Sequence, residues 1–544
     1  MTFEPPAPGT LASVPLYERP EVHQRRWFLL GILCLSLVMI VMAVSSLNVA
    51  LPTLQRDLDA SSTMLQWIVD SYALVFAGLL LVAGALGDRF GRKGTLLIGL
   101  GLFGAGAIVS GLASTATVVI AGRAVQGAGA AFVMPATLSL LTAIFPPHER
   151  AKAIATWVAF AGAGGALGPI VSGALLERFW WGSAFLFNVP VVAVTAIAIA
   201  VYSPRSQDDT ATPLDPRGAA LSLVGLTSLL FGIIEGAERG WTDTLVLGSF
   251  VVAAVVLVSF IRWEMVAEHP MLPVSYFRDR RFSVGSAVIT TSFFVMFGWF
   301  FLFSLYLQFV RGYSPLEAGL ATLPLPPMFI ILSPRSAEIA ARIGSGRTMA
   351  LGFLLVGAGM TVLAPVTPDT PYVVLAVALA LMGAGMAITT APATTSILSA
   401  VPMSKAGVAS AVNDTTRELG GALGIAVIGT LVSSLYRSRL DLGGLELPAG
   451  AAREAEASVG QAVTASSQLD GGTAGRLVER AGDAFSSAFG LTAIISAAIV
   501  VVAAILVLRT FSSAKELEAE AAAVLAGPDG STGIELAAEG VAAN

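Results

Sequence analysis

The sequence predicts an all-α membrane protein, a bundle of about fourteen transmembrane helices. Three observations predict it. Hydrophobic residues make up 55% of the 544 residues and charged ones only 12%, with a mean hydropathy of +0.79; so much apolar surface cannot be hidden in a water-soluble core and needs lipid as its solvent. Apolar stretches of spanning length recur, separated by short polar breaks. Lysine and arginine collect in alternate breaks, the pattern that the positive-inside rule gives a multi-pass chain.

The stretches lie at 27–51, 62–86, 94–114, 117–144, 152–176, 183–202, 217–236, 244–262, 284–310, 316–341, 348–366, 371–400, 407–434 and 486–509. In lipid each must be a helix, because unpaired backbone groups there cost several kcal/mol each. The first follows Arg25 and Arg26, and it reads as an uncleaved first helix behind a polar, Pro-rich segment, 1–26. One set of breaks holds Arg89, Arg92, Lys93, Arg150, Lys152, Arg262, Arg278, Arg280, Arg281, Arg342, Lys405 and Arg509; the alternate set holds mostly single arginines, Arg56, Arg178, Arg239 and Arg311. This bias puts both termini in the cytoplasm, with the chain in the cell (inner or plasma) membrane. The net charge of −5 averages loops on two sides of the membrane. No basic run suggests nucleic acid, and the single cysteine, Cys34, leaves neither a disulfide framework nor a thiolate metal site.

A weak repeat divides the chain. Leu86-Gly-Asp-Arg89-Phe-Gly91-Arg-Lys-Gly-Thr95 follows the second stretch and Ile339-Ala-Ala-Arg342-Ile-Gly344-Ser-Gly-Arg-Thr348 the tenth. Repeated halves with a site between them are a hallmark of secondary transporters. The expected organisation is a six-helix half at 27–202, an inserted helix pair with its linkers at 203–283, and a second six-helix half at 284–510. The second half includes a polar outer loop, 437–485, with short helical patterns near 451–468 and 473–484. The acidic tail, 511–544, starts as a helix and then becomes disordered.

Three motifs carry mechanism. Gly84-Ala-Leu-Gly-Asp88-Arg89-Phe-Gly91-Arg92-Lys93 ends the second stretch. Its glycines let helices pack closely and turn sharply, and Asp88 at a helix end can bridge to basic groups across the seam between halves and release them. A plain positive-inside anchor would need neither the acid nor the glycines. Arg123-Ala-Val-Gln126-Gly127-Ala-Gly129 lies in the fourth stretch. An arginine at membrane depth is expensive and must face a cavity or a partner. Asp70 is the expected partner, since both residues sit roughly 9–12 Å below the outer face at ~1.5 Å per residue. A carboxylate with a breakable partner makes a proton site; a static structural pair is the other reading. Gly164-Gly-Ala-Leu-Gly168-Pro169-Ile-Val-Ser-Gly173 in the fifth stretch reads as a bent, tightly packed helix.

In this order the motifs resemble those of the major facilitator superfamily. The finer match, through Asn48-Val-Ala-Leu-Pro52, Trp67-Ile-Val-Asp70-Ser-Tyr72, Trp181-Gly-Ser-Ala-Phe-Leu-Phe-Asn-Val-Pro190, Pro270-Met-Leu-Pro273 and Ser404-Lys-Ala-Gly407 running to Asp414, is to fourteen-helix drug:proton antiporters of the QacA-like and EmrB-like type. It covers roughly residues 25–510. The resemblance implies the major facilitator fold with two inserted helices and a gating loop at Gly84, Asp88, Arg89, Gly91 and Arg92. It implies proton coupling through Asp70, Arg123 and Asp414, and an antiporter-motif helix marked by Gly164, Gly168, Pro169 and Gly173, which favours export over uptake. Two departures matter. Family acids in the first and tenth helices are replaced here by Ala43 and Phe329, which argues against dicationic substrates and for monocationic or neutral ones.

Asp414 and Arg417 lie three apart on one face of the thirteenth helix and can pair, as a self-neutralised patch or as a second protonation site. Glu235 is expected at the interface. Trp67, Gln126, Asn413 and Arg417 are the expected cavity residues. The aromatic and methionine residues of the ninth helix, among them Phe293, Met296, Trp299, Phe300 and Phe303, run all round it and single out no lining residue. The expected function is proton-coupled efflux of small amphipathic compounds by alternating access. One charge crossing ~100 mV is worth about 2.3 kcal/mol, and no phosphate-loop motif points to a primary pump. Export of an endogenous metabolite or lipid and proton-coupled uptake are the alternatives. An intramembrane enzyme is disfavoured because His23, His148 and His269 all fall in polar breaks. The expected partners are a small-molecule substrate, protons and lipid, for a monomer without metal, cofactor or nucleic acid.

Overall fold

The computed structural model describes residues 15–58, 60, 62–204, 215–402 and 405–511; the expectations for the N-terminal segment up to residue 14 and for the acidic tail beyond 511 fall outside them. The helices are α1 (Pro20–Asp57), α2 (Ser62–Phe90), α3 (Arg92–Gly111), α4 (Ala116–Ile144), α5 (Pro147–Leu176), α6 (Ser183–Leu186), α7 (Asn188–Tyr202), α8 (Pro216–Arg239), α9 (Thr244–Val266), α10 (Arg280–Leu305), α11 (Pro315–Leu320), α12 (Leu325–Ile343), α13 (Ser345–Leu363), α14 (Tyr372–Ser399), α15 (Ala406–Arg439), α16 (Ala449–Ala457), α17 (Val459–Ser466) and α18 (Gly471–Phe511).

Among the described residues, 13 helices are long and apolar enough to cross a membrane. The expected span that falls short is the tenth. It is cut at Ala321–Pro324 into α11 and α12, because Leu323-Pro-Leu-Pro-Pro327 cannot continue a helix. A proline is tolerated in a first turn, where its missing N–H would find no partner anyway. The chain therefore ends α11 and starts α12 afresh, with Pro324 as its N-cap. The short α11 opens on a capping box between Ser314 and Glu317.

Two sets of helices pack in the same order. In the first, α1 lies on α5, α2 on α4, α3 on α4 and α3 on α7. In the second, α10 lies on α15, α12 on α14, α13 on α14 and α13 on α18. The loop repeat has the same backbone in both sets. Gly91 (φ 97°) and Gly344 (φ 89°) each occupy the left-handed region, and Thr95 and Thr348 donate their hydroxyls back to the carbonyls of Gly91 (3.1 Å) and Gly344 (2.9 Å). A second repeat is plain once the helices are paired. Gly164-Gly-Ala-Leu-Gly168 in α5 recurs as Gly420-Gly-Ala-Leu-Gly424 in α15. A Cβ on Gly168 would lie 2.8 Å from the Met42 carbonyl oxygen of α1, and one on Gly424 would lie 2.0 Å from the Phe294 carbonyl oxygen of α10. Both glycines thus permit backbone-to-backbone contact with the first helix of their own set.

The helix pair between the sets packs on itself, and α8 also touches α2 and α15. Glu235, expected at the interface, is buried among the helices and paired with Arg239 at the end of α8. In the loop at 437–485, α16 and α17 pack together, and Tyr436 Oη ties the loop down by donating to the Ala455 carbonyl (2.8 Å). The second expected helical pattern there is the start of α18, which runs on unbroken into the last span.

Replacing Gly424 with valine should destabilise the bundle by ~1–3 kcal/mol through overpacking. Thermal melting of the detergent-purified protein should show the loss, against Gly101→Val as control, because a Cβ at Gly101 meets nothing within 4 Å.

Candidate transport site

The two sets meet at the end of the bundle where the basic loops gather. Helix α15 starts at Ala406 behind Lys405, which offers no side-chain cap. Its first backbone N–H groups would lack partners, and Asp88 at the end of α2 supplies them from the other set. Oδ1 accepts from Gly407 N (2.9 Å) and Oδ2 from Val408 N (3.1 Å). A carboxylate also suits the positive end of the helix dipole. Arg92 stands 3.6 Å from the same carboxylate. Across the seam Asp88 thus holds backbone amides, and of the basic groups that act on it Arg92 belongs to its own set and Lys405 to the other. Gly84 and Gly407 permit the approach, since a Cβ on Gly84 would lie 2.6 Å from the Gly407 carbonyl oxygen. Lys93 donates to the carbonyls of Ala200 (2.8 Å) and Ser203 (2.7 Å) at the end of α7. Arg89 lies over the ring of Phe90.

The symmetry-related seam, between α12 and α5, has no acid at the matching place. Ser333 Oγ donates to the Ala155 carbonyl (2.7 Å), and the ring of Phe329 covers Gly162, 2.5 Å from where a Cβ would stand. Phe329 thus packs across the seam.

Deeper in, Arg123 is buried. Its Nε donates to the Ile68 carbonyl (3.1 Å), Nη1 donates to Gln126 Oε1 (3.3 Å), and the guanidinium lies 4.3 Å from the centre of the Tyr72 ring. Among the described residues no ion pair joins Arg123 to Asp70, so the expected pair is not formed here. The guanidinium sits instead on a carbonyl and a ring face, both supplied by α2. Gly127 lets α4 come this close, for its Cβ would fall 2.4 Å from the Tyr72 carbonyl oxygen. Asp70 is half-buried one helical turn or less from Ile68 and Tyr72. Trp67 faces Phe231 of α8, with ring centres 6.2 Å apart, so its partner is the inserted helix pair.

On α15, Asp414 and Arg417 are both buried. They too form no ion pair among the described residues. Asp414 Oδ1 accepts from Asn413 Nδ2 (3.3 Å), and Asn413 Oδ1 accepts from Thr394 Oγ1 (3.1 Å). The Arg417 guanidinium lies between two rings, 5.1 Å from the centre of Trp157 on α5 and 5.0 Å from that of Phe293 on α10. Sequence reasoning passed over Glu418. This carboxylate acts electrostatically on Asp414 and Arg417 and on Tyr72 of the other set, so the acid-rich cluster spans the seam. Its signal in the sequence was position: Glu418 stands two residues before the repeated Gly420-Gly-Ala-Leu-Gly424 motif, inside a span.

An apolar cavity lies within the second set, lined by Val295, Met296, Trp299, Phe300, Phe303, Leu325, Phe329, Val356, Leu379, Met382 and Met386. Of the ninth-helix stripe, Met296, Trp299, Phe300 and Phe303 therefore line a cavity. In the first set, Gly164 and Gly168 lie against α1, Gly173 is buried, and α5 continues as helix through Pro169. The third motif is thus a packing surface between helices.

A family model described as Major Facilitator Superfamily matches residues 33–425. The chain belongs to this superfamily. Its relatives include the multidrug efflux pump LfrA of Mycolicibacterium smegmatis, 35% identical over 492 residues that cover 89% of this chain and 96% of the relative. The methylenomycin A resistance protein of Streptomyces coelicolor is 36% identical over 73% of this chain and 84% of its own length. The tetracenomycin C resistance and export protein of Streptomyces glaucescens is 31% identical over 89% and 92%. Among solved structures, the human organic anion transporter MFSD10 superposes with a TM-score of 0.57 at 14% identity, covering 89% of this chain and all of that one; this shows the fold. In this member of the superfamily, Asp88 and Arg417 stand where the two helix sets meet.

Removing the Asp88 carboxylate should loosen the basic end of the seam. Two hydrogen bonds to a charged acceptor are at stake, each worth about 1.5–3 kcal/mol. In a Cys34→Ala background, a reporter at Ser410→Cys should react with a water-soluble maleimide at least ~10-fold faster once Asp88→Ala is added. An unchanged rate would mean that Asp88 does not hold this seam shut.

Proposed function

We propose that this transporter is a proton-coupled exporter of small amphipathic compounds that carry one positive charge or none. It works as a cofactor-free monomer by alternating access, with residues 27–202 and 284–510 as the rocking halves. The basic end and both termini face the cytoplasm of a cell-membrane protein, since the basic loops gather there. The names of the relatives support the substrate class, because they describe multidrug efflux and resistance to small organic molecules.

The observation that carries the coupling is the composition of the seam. Asp414 and Glu418 set two carboxylates beside the guanidinium of Arg417. Fully ionised, this group has one negative charge in excess. At membrane depth an uncompensated charge is expensive, so the group favours holding one proton or one monocation and disfavours holding both or neither. Binding of substrate then expels the proton, and binding of a proton expels the substrate. The absence of acids at Ala43 and Phe329 fits this count, because a further carboxylate would call for a second positive charge. Asp88 keeps the basic end closed in one half of the cycle and releases the α15 amides in the other.

One proton exchanged for one monocation moves no net charge. Transport of such a substrate should therefore follow the pH difference, about tenfold accumulation per pH unit, and should ignore the membrane potential. In energised inverted vesicles with ethidium as the monocation, nigericin should abolish uptake while valinomycin with potassium spares it. Asp70→Asn and Asp414→Asn should each lower ethidium-induced proton release at least ~10-fold. Uptake that persists without a pH gradient, or mutants that match wild type, would overturn the coupling scheme. A second reading, export of one endogenous metabolite by the same machinery, is favoured by the relative named for tetracenomycin C export; a narrow substrate range in the same vesicles would select it.

A further inference from the structure

The Arg417 guanidinium has an unusual lodging for a buried cation. It lies 5.1 Å from the centre of the Trp157 ring and 5.0 Å from that of Phe293. Its Nε and Nη2 have no hydrogen-bonding partner among the described residues, and neither does Asp414 Oδ2, three positions earlier on the same helix face. Arg417 and Asp414 are 6% and 1% exposed. A buried guanidinium normally fills its donors, because leaving one unmade costs about 1–3 kcal/mol. Here an unpaired acid lies within reach along the helix, and yet the cation stays between two rings.

We propose that the gap between Trp157 and Phe293 is the binding slot for a flat aromatic monocation, and that the Arg417 guanidinium is its tethered resident, displaced when such a cation enters. Four features support this. The slot presents one ring from each helix set, so its occupant contacts both sides of the seam at once. Ring faces attract cations, more strongly where water is excluded, and a planar guanidinium has the shape and charge of a small flat cation. Exchanging the occupant breaks no hydrogen bond made by Nε or Nη2. The displaced side chain has a destination, for Asp414 and Glu418 are the charges that act on it most directly, and the Asp414–Arg417 pair that spacing alone suggests is then the form it takes with substrate bound. An anion would be repelled by the same two carboxylates, and a neutral ring would gain nothing from displacing a cation.

This inference rests on the proposed export of small amphipathic compounds, but it concerns binding at equilibrium and needs no gradient. The test is therefore direct binding to purified full-length protein in detergent, using N-methylquinolinium as the cation and quinoline as its neutral match. Arg417→Met should bind N-methylquinolinium at least ~10-fold more tightly than wild type, Arg417→Lys should resemble wild type, and adding Trp157→Leu to Arg417→Met should remove the gain. Quinoline should bind Arg417→Met and wild type alike. If Arg417→Met does not give monodisperse protein, Arg417→Gln, also neutral and shorter, carries the same expectations. The proposal fails if the neutral variant binds the cation no better than wild type, if quinoline gains as much as the cation, or if the gain survives Trp157→Leu. Normal pH-driven transport by the wild-type protein alongside any of these results would leave the exporter reading standing and overturn only the slot. A gain in binding without pH-driven transport would do the reverse.

Discussion

A long helix that cannot cap itself governs the way the two helix sets meet. Helix α15 begins behind Lys405, a residue with no acceptor to offer its first amides, and the acceptor comes from Asp88 on α2. The bond is strong enough to define a closed seam and weak enough to break. Charge-assisted hydrogen bonds of about 1.5–3 kcal/mol each, with a further ~0.3–1 kcal/mol from the helix dipole, are of the size that ligand binding can reverse. Swinging a two-state equilibrium from one side to the other takes about 5.5 kcal/mol. The matching seam between α12 and α5 relies on a serine hydroxyl and a phenylalanine ring instead, so the two seams are held by different interactions.

Around that seam the rigidity of each set comes from glycine. With lipid outside, helix association draws little from the hydrophobic effect and depends on close packing. The recurrence of Gly-Gly-Ala-Leu-Gly in α5 and α15 puts each of these seam-lining helices in backbone contact with the first helix of its own set. Phe293 stands one residue before Phe294, whose carbonyl meets Gly424, so the packing that fixes α10 on α15 also holds one wall of the Arg417 slot. Packing and site are therefore not independent in this protein.

The charged residues show how far spacing can mislead. Asp70 and Arg123 have matching depths, and Asp414 and Arg417 are three apart on one helix, yet neither guanidinium is paired with its expected acid. Arg123 takes a carbonyl and the Tyr72 ring, and Arg417 takes two more rings. Depth and periodicity place a side chain within a shell of several ångströms, whereas a long arginine chooses within that shell among acids, carbonyls and ring faces that come from other helices. The proposed proton exchange draws on Asp414 and Glu418, which act electrostatically on Arg417.

By itself the sequence determined that the chain lies in a membrane, roughly where its apolar spans fall, and which superfamily it belongs to; the first and last helices run well beyond their apolar cores, from Pro20 to Asp57 and from Gly471 to Phe511. These properties follow from local apolar length, from the distribution of arginine and lysine, and from motifs whose residues lie close together in the chain. The break in the tenth span was also legible, in the prolines from Pro324 to Pro327, though apolar length alone concealed it. Only the tertiary structure decided that Asp88 reaches the amides of Gly407 and Val408, more than 300 residues away, that Glu418 joins the central cluster, and that Trp157 and Phe293 enclose Arg417. Each of these depends on which faces of distant helices meet. In a bundle whose helices are apolar on nearly every side, hydrophobic pattern carries almost no information about that choice; the close contacts between small residues make it.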